Sequence, residues 1–269
     1  MSIEDNIYEL LIKDNNNEAI KLIKERINNL KIEHQFKIVF WLTENKNLEA
    51  LKILNDHNID LHMFDDLYFR YSCTCGYLDL VKFFLKIGAD IHAKKDEGFI
   101  YACRNGHLNV ATYLKKKGAN IHARFDQAIV QAAKMGHLEI VKYLQQERLN
   151  IRIGKDAPLR LAAEYGQLDV VDYLLKSGSD YHAEDEYALR KSLKNGHIEI
   201  AKYLLMKGAN PNANNYELIE WAIKKRKFDI LNLLLDKGGK PDIFDGKYIK
   251  LARDRKDHEL RSILESYLN

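Results

Sequence analysis

The chain has 269 residues, 46% hydrophobic and 30% charged, with 14 Gly and 3 Pro: enough apolar content to bury a core, and too little Gly and Pro for a collagen-like or disordered polymer. No apolar run approaches the roughly 18 residues a membrane helix needs, and the start, Met1-Ser2-Ile3-Glu4-Asp5, is acidic where an export signal is basic and then apolar, so a soluble, cytoplasmic protein is expected. The net charge of +3 is too small to demand nucleic acid or an anionic membrane as partner, and three cysteines are too few for a disulfide framework.

Self-similarity sets the order of the predicted elements. Gly-Ala-Asp-Ile-His-Ala at 88–93 returns as Gly-Ala-Asn-Ile-His-Ala at 118–123, Gly-Ser-Asp-Tyr-His-Ala at 178–183 and Gly-Ala-Asn-Pro-Asn-Ala at 208–213, a period of 30 residues. A second landmark keeps step: Gly76-Tyr77, Gly106-His107, Gly136-His137, Gly166-Gln167 and Gly196-His197, fading to Lys46-Asn47 and Arg226-Lys227. Extrapolation gives about nine units, with 1–59 as degenerate N-terminal caps, 60–213 regular and 214–269 as degenerate C-terminal caps of a single 1–269 solenoid.

Within a unit, an acidic residue (Asp66, Asp96, Asp126, Asp156 or Glu186) precedes a first helix, suited to capping it or meeting its positive end. Pro158 fits a first-turn site. That helix carries a small pair such as Ala132-Ala133 or Ala162-Ala163, which lets it lie close to a neighbour. After the glycine turn, Leu138, Val141 and Leu144 mark the apolar face of a second helix of about ten residues. A glycine in the left-handed region ends it. Near 147 that glycine gives way to Glu147-Arg148-Leu149, and His-Ala to Arg152-Ile153, so a looser junction is expected there.

The Gly-Ala-Asp-Ile-His-Ala loop, the Gly-His turn and Ala-Pro-Leu-Arg-Leu-Ala-Ala at 157–163 resemble the ankyrin repeat and its Thr-Pro-Leu-His-x-Ala-Ala signature. The resemblance implies an all-α ankyrin-repeat solenoid of stacked helix-turn-helix units. The family's unit has 33 residues, and the three missing ones fall in the loop before the first helix, so shortened β-hairpin fingers are expected. The motif's histidine is replaced by Arg70, Ile100, Val130, Arg160, Arg190 and Glu220. The short unit and the Lys-, Asn-, Ile- and Tyr-rich composition are similar to the ankyrin proteins of mimivirus-like giant viruses, which implies a viral protein acting in the host cytoplasm.

Ten histidines invite a metal, but His62, His92, His122 and His182 are repeat landmarks. Units about 10 Å apart cannot share ligands that must lie about 2 Å from one ion. Cys73 and Cys103 occupy the small-residue slot and read as buried thiols, and Cys75 as the more exposed one. No phosphate loop, paired catalytic carboxylates or activated nucleophile is present. No enzyme, cofactor, metal or small-molecule substrate is therefore expected.

Function should lie where the scaffold varies. By resemblance, first-helix positions line a concave face. One slot reads Trp41, Tyr71, Tyr101, Gln131, Leu161, Lys191 and Trp221; positions just before the glycine turn add Arg104, Lys134, Tyr165, Lys194, Lys224 and Lys225. The stripe runs from aromatic, the chemistry of protein-interface anchors, to basic. The leading reading is a monomeric, non-enzymatic adaptor that binds a protein partner, a host protein if the chain is viral, on this face. One alternative is nucleic-acid or acidic-partner binding through the basic C-terminal half. A substrate-recruiting ubiquitin-ligase subunit ranks lower, because nine repeats leave no room for an F-box or BTB segment.

Overall fold

A computed structural model describes Glu9 and residues 16–26, 30–240 and 246–267; the outermost parts of both predicted caps lie outside the described residues. Every described element is a helix, with no strand among the described residues. The first (inner) helices of successive units are α2 (Ile32–Glu44), α4 (Met63–Cys75), α6 (Ala93–Arg104), α8 (Ala123–Met135), α10 (Ile153–Glu164), α12 (Ala183–Lys194), α14 (Ala213–Lys224) and α16 (Lys247–Asp254). The second (outer) helices are α1 (Asn16–Arg26), α3 (Leu48–Asp56), α5 (Leu78–Lys86), α7 (Leu108–Lys116), α9 (Leu138–Gln146), α11 (Leu168–Lys176), α13 (Ile198–Met206), α15 (Phe228–Asp236) and α17 (His258–Ser266). From α3 to α17 the outer helices each begin 30 residues after the last. None of the described helices is long and apolar enough to cross a membrane.

The chain divides into two compact units, Met1–Ala132 and Ala133–Asn269. The first has an aromatic core: Tyr68, Phe69, Phe84 and Phe99 are fully buried beside Ile38, Leu42, Leu51 and Leu54. Cys73 and Cys103 sit buried in the small-residue slot. The second is aliphatic, with Leu159, Ala162 and Ala163 of α10 and Val170, Val171 and Leu174 of α11 all buried. Each large apolar side chain so removed from water contributes about 1.5–3 kcal/mol, so shared burial between neighbouring helix pairs holds what no single pair could.

The loops before the inner helices depart most from sequence expectation. Three successive residues turn left-handed at the start of six of the inner helices. They are Phe64-Asp65-Asp66, Lys94-Lys95-Asp96, Arg124-Phe125-Asp126, Gly154-Lys155-Asp156, Glu184-Asp185-Glu186 and Asn214-Asn215-Tyr216. A single left-handed turn thus stands where a hairpin finger was expected in shortened form. For side chains other than Gly this conformation costs about 1–2 kcal/mol per residue, so hydrogen bonds must offset it.

They come from the acidic residues, which were expected to cap the first helix or to meet its positive end; they do stand in its first turn, but their side chains do not cap it. Asp66 instead accepts the backbone N–H of Asp90 at 3.0 Å, and Asp96 that of Asn120 at 2.8 Å. In the second unit Asp156 accepts from Asp180 and Glu186 from Asn210, each at 3.0 Å. Each bond reaches 24 residues ahead and ties one repeat to the next. The landmark histidine binds the same carboxylate, His62 to Asp66 at 2.6 Å and His92 to Asp96 at 2.9 Å. Among the described residues, side-chain capping of an outer helix is made by Asn47 and Asp257.

The arginines in the histidine slot of the Thr-Pro-Leu-His motif brace the same turn. Arg70 donates to the carbonyls of Asp65 and Phe64, Arg160 to those of Lys155 and Gly154, and Arg190 to those of Asp185 and Glu184, all at 2.8–3.1 Å. The right-handed part of α10 begins at Ala157, which places Pro158 in its first turn. At the irregular junction Arg148 takes φ 69 in the glycine's place. The bonds Arg148 N–H to Gln145 and Leu149 N–H to Leu144, at 2.9 and 3.0 Å, repeat those of Gly178 and Ser179 at 3.1 and 3.0 Å. Arg152 replaces the histidine beside Asp156 at 3.4 Å. The junction thus keeps the hydrogen bonds of the regular repeats, with an exposed Arg148 holding the left-handed position.

Candidate partner-binding surface

The variable slot falls on one face of the inner helices because small pairs such as Ala102-Cys103 and Ala162-Ala163 turn inward against the outer helices. Trp41, Tyr71, Tyr101, Gln131, Leu161, Lys191 and Trp221 are all half-buried, neither core nor fully solvated.

In the first unit the face is aromatic. The Tyr71 ring lies 4.8 Å from Phe40, and Phe36 lies 6.0 Å from Phe40, 5.9 Å from Tyr68 and 5.3 Å from Phe64. Burial, then hydrogen bonding to Cys75 and the nearby Glu44 charge, pushes the Tyr71 phenol up to about 12, so it stays a neutral donor. Arg104 stands over the Tyr101 ring at 5.6 Å, and Lys46 over Tyr77 at 4.5 Å. Gln131 sits further along α8.

In the second unit charge is woven into the face. Lys134 lies 4.3 Å over the ring of Tyr165, which is 47% exposed. Lys191 pairs with Glu164 at 3.4 Å, Lys224 with Glu220 at 2.8 Å, and Lys194 with Glu217. Burial raises the Glu217 carboxyl, but hydrogen bonds from Lys194, Asn214 and Arg190 outweigh it and hold it at about 2. The predicted basic end is thus largely compensated; Lys225 stands exposed beyond it.

Sequence reasoning missed Phe40 and Tyr187. Tyr187 donates to Glu164 at 2.7 Å, between Arg160 and Lys191 at 4.9 and 5.4 Å from its ring. Burial, then the Glu164 bond, pushes its phenol up to about 12. The signal was present: Leu67, Glu97, Gln127, Ala157, Tyr187 and Glu217 vary at the position one helical turn before the chosen slot.

Among the described residues no three His, Cys, Asp or Glu side chains are placed to hold a metal ion. Burial drives the Cys73 and Cys103 thiols well above their ordinary range, which leaves them protonated and poor nucleophiles. A family model described as ankyrin repeats in three copies matches residues 99–185 and again 159–245. A search of curated proteins finds no match.

Proposed function

The chain belongs to the ankyrin-repeat family, whose repeats are protein-interaction modules, and we propose that it is a non-catalytic adaptor holding a protein partner against its inner-helix face. The observation that carries this reading is the half-exposure of Tyr71 and Tyr101, with Phe40 and Arg104 beside them. Aromatic and arginine side chains that are positioned by neighbours yet reachable by a partner are the usual energetic centres of interfaces. Lys134 over the exposed Tyr165 is a like pair in the second unit.

Nucleic-acid binding ranks below this. Lys191, Lys194, Lys224 and Arg226 are paired with Glu164, Glu217, Glu220 and Asp257, and a cation already held by a carboxylate gains little by meeting a phosphate. The test is affinity capture by the full chain, wild type against Tyr71→Ala plus Tyr101→Ala, with the exposed outer-helix change Lys82→Ala as control. The reading expects a partner lost only from the double variant. A partner set unchanged in that variant would overturn it.

A further inference from the structure

The glycine closing each inner helix is normally roofed by the next repeat. A Cβ on Gly76 would meet the His107 ring at 2.5 Å, and one on Gly166 the His197 ring at 2.6 Å; Gln167 covers Gly136. These rings are fixed by carbonyls of the preceding turn. His107 and Asn105 lie 3.0 and 2.7 Å from the Thr74 carbonyl, and His197 and Asn195 3.1 and 2.8 Å from that of Glu164. At Gly196 the pattern stops, because nothing lies within 4 Å of its Cβ position. The next repeat supplies Lys225 and Lys227 where two earlier repeats carry Asn105 with His107 and Asn195 with His197.

A cleft of about 760 Å³ opens there, lined among others by Gly196, Trp221, Phe228, Lys202, Arg226 and Lys227. Its lining combines the aromatic Trp221 and Phe228 with the cations Lys194, Lys202, Arg226 and Lys227, and Asp229 is the one carboxylate among the lining residues. Lys202 is paired with Glu199 at 3.0 Å, and Arg226 with Asp257. Lys225 and Lys227 have no acidic partner among the described residues.

We propose that this cleft docks an acidic segment of a protein partner, which inserts one aromatic side chain over Gly196 beside Trp221 while its carboxylates meet Lys225 and Lys227. Shape and charge argue for it separately. The open space is the one a histidine ring fills elsewhere in the chain, so a planar ring fits it, and an indole wall favours stacking or edge contact. Lys227 in the lining has no acidic partner among the described residues, and Lys225 stands exposed two residues before it, so the open side of the cleft selects negative charge. Two free cations are few for a phosphate backbone, whose affinity comes from neutralising several charges at once. The inference rests on reading the chain as a protein-binding module, and is independent of the Tyr71 and Tyr101 patch.

The test uses the full chain carrying Trp41→Phe, so that Trp221 is the sole tryptophan. The probe is an acetylated, amidated Asp-Glu-Phe-Asp-Glu peptide, titrated by Trp221 emission and by calorimetry. Saturable binding with Kd on the order of 0.1–1 mM is expected for so small a ligand. Lys225→Asn plus Lys227→His installs the roof that covers Gly76 and Gly166; this variant should keep its helical circular dichroism and bind about tenfold more weakly or worse. Replacing the peptide's Phe by Ala should weaken binding about fivefold or more. Absence of saturable binding, equal binding by the roofed variant, or tighter binding of a thymidine decamer than of the peptide would each overturn the proposal. If the peptide fails while Tyr71→Ala plus Tyr101→Ala still loses its captured partner, the cleft alone is refuted. If the peptide binds and that partner is kept, the Tyr71 and Tyr101 face falls and the cleft stands.

Discussion

Asp96 offers the sharpest probe of what holds the shortened repeat together. The residue is 4% exposed; its carboxylate accepts the Asn120 N–H at 2.8 Å and binds His92 Nδ1 at 2.9 Å, while its backbone sits at φ 57. Asp96→Ala removes both bonds and keeps the unfavourable backbone. A hydrogen bond to a charged acceptor contributes about 1.5–3 kcal/mol, so a loss of about 2–4 kcal/mol is expected once the second, half-exposed partner is added. Asp96→Gly removes the same bonds but frees the left-handed backbone, recovering about 1 kcal/mol relative to Ala. Asp96→Asn keeps a neutral acceptor and a residue tolerant of this conformation, at a cost of about 1 kcal/mol. The assay is urea unfolding followed by Trp41 emission in a Trp221→Phe background, so that the transition reports on the first unit. An Ala variant within about 0.5 kcal/mol of the parent, or a Gly variant no more stable than Ala, would refute the reasoning.

Four further outcomes follow from the same geometry. Arg148→Gly, placing glycine at φ 69 on an exposed turn, should stabilise the second unit by about 1 kcal/mol in urea unfolding followed by Trp221. Arg190→Ala, which removes donors to the Asp185 and Glu184 carbonyls, should make the 184–186 turn the first site of limited proteolysis. Glu217 has a carboxyl depressed to about 2, so its contribution is fully present above an unfolded value of about 4.3 and is lost as pH falls through about 2. With a side chain 28% exposed, solvent screening leaves about 1–2 kcal/mol of that linkage, and Glu217→Gln should flatten the fall in stability between those pH values. Finally, Cys75 should react first with a disulfide exchange reagent, Cys73 and Cys103 only on unfolding, since both are buried with raised thiols.

Helices were legible in the sequence wherever one residue type answers one local demand. Gly76, Gly106 and Gly166 mark the turns because their φ of 76–85° suits glycine. The inward pairs Ala132-Ala133 and Ala162-Ala163 mark close packing because nothing larger fits a fully buried slot. The left-handed turns were not legible, since Lys94-Lys95 and Glu184-Asp185 have no local preference for positive φ. That conformation is chosen by a carboxylate bonding 24 residues away and by arginines bracing the carbonyls. For the same reason Asp96 and Glu186 read as serving only their own helix, as a cap or at its positive end, whereas each also accepts a backbone N–H from the next repeat. On the candidate face the slot of Tyr71, Tyr101 and Trp221 could be read from variation at a fixed period. The compensation of Lys191 and Lys194 by Glu164 and Glu217 could not, because those partners stand 27 and 23 residues apart in sequence and meet only when repeats stack.

The central claim is that a protein partner sits on the inner-helix face, and site-specific photocrosslinking tests it most directly. A benzoylphenylalanine placed at Tyr101, and in a separate protein at Lys82 on the exposed side of α5, is irradiated in cells expressing the full chain. The account expects a discrete covalent adduct from position 101 and none from position 82. An adduct from position 82 with none from position 101 would contradict it.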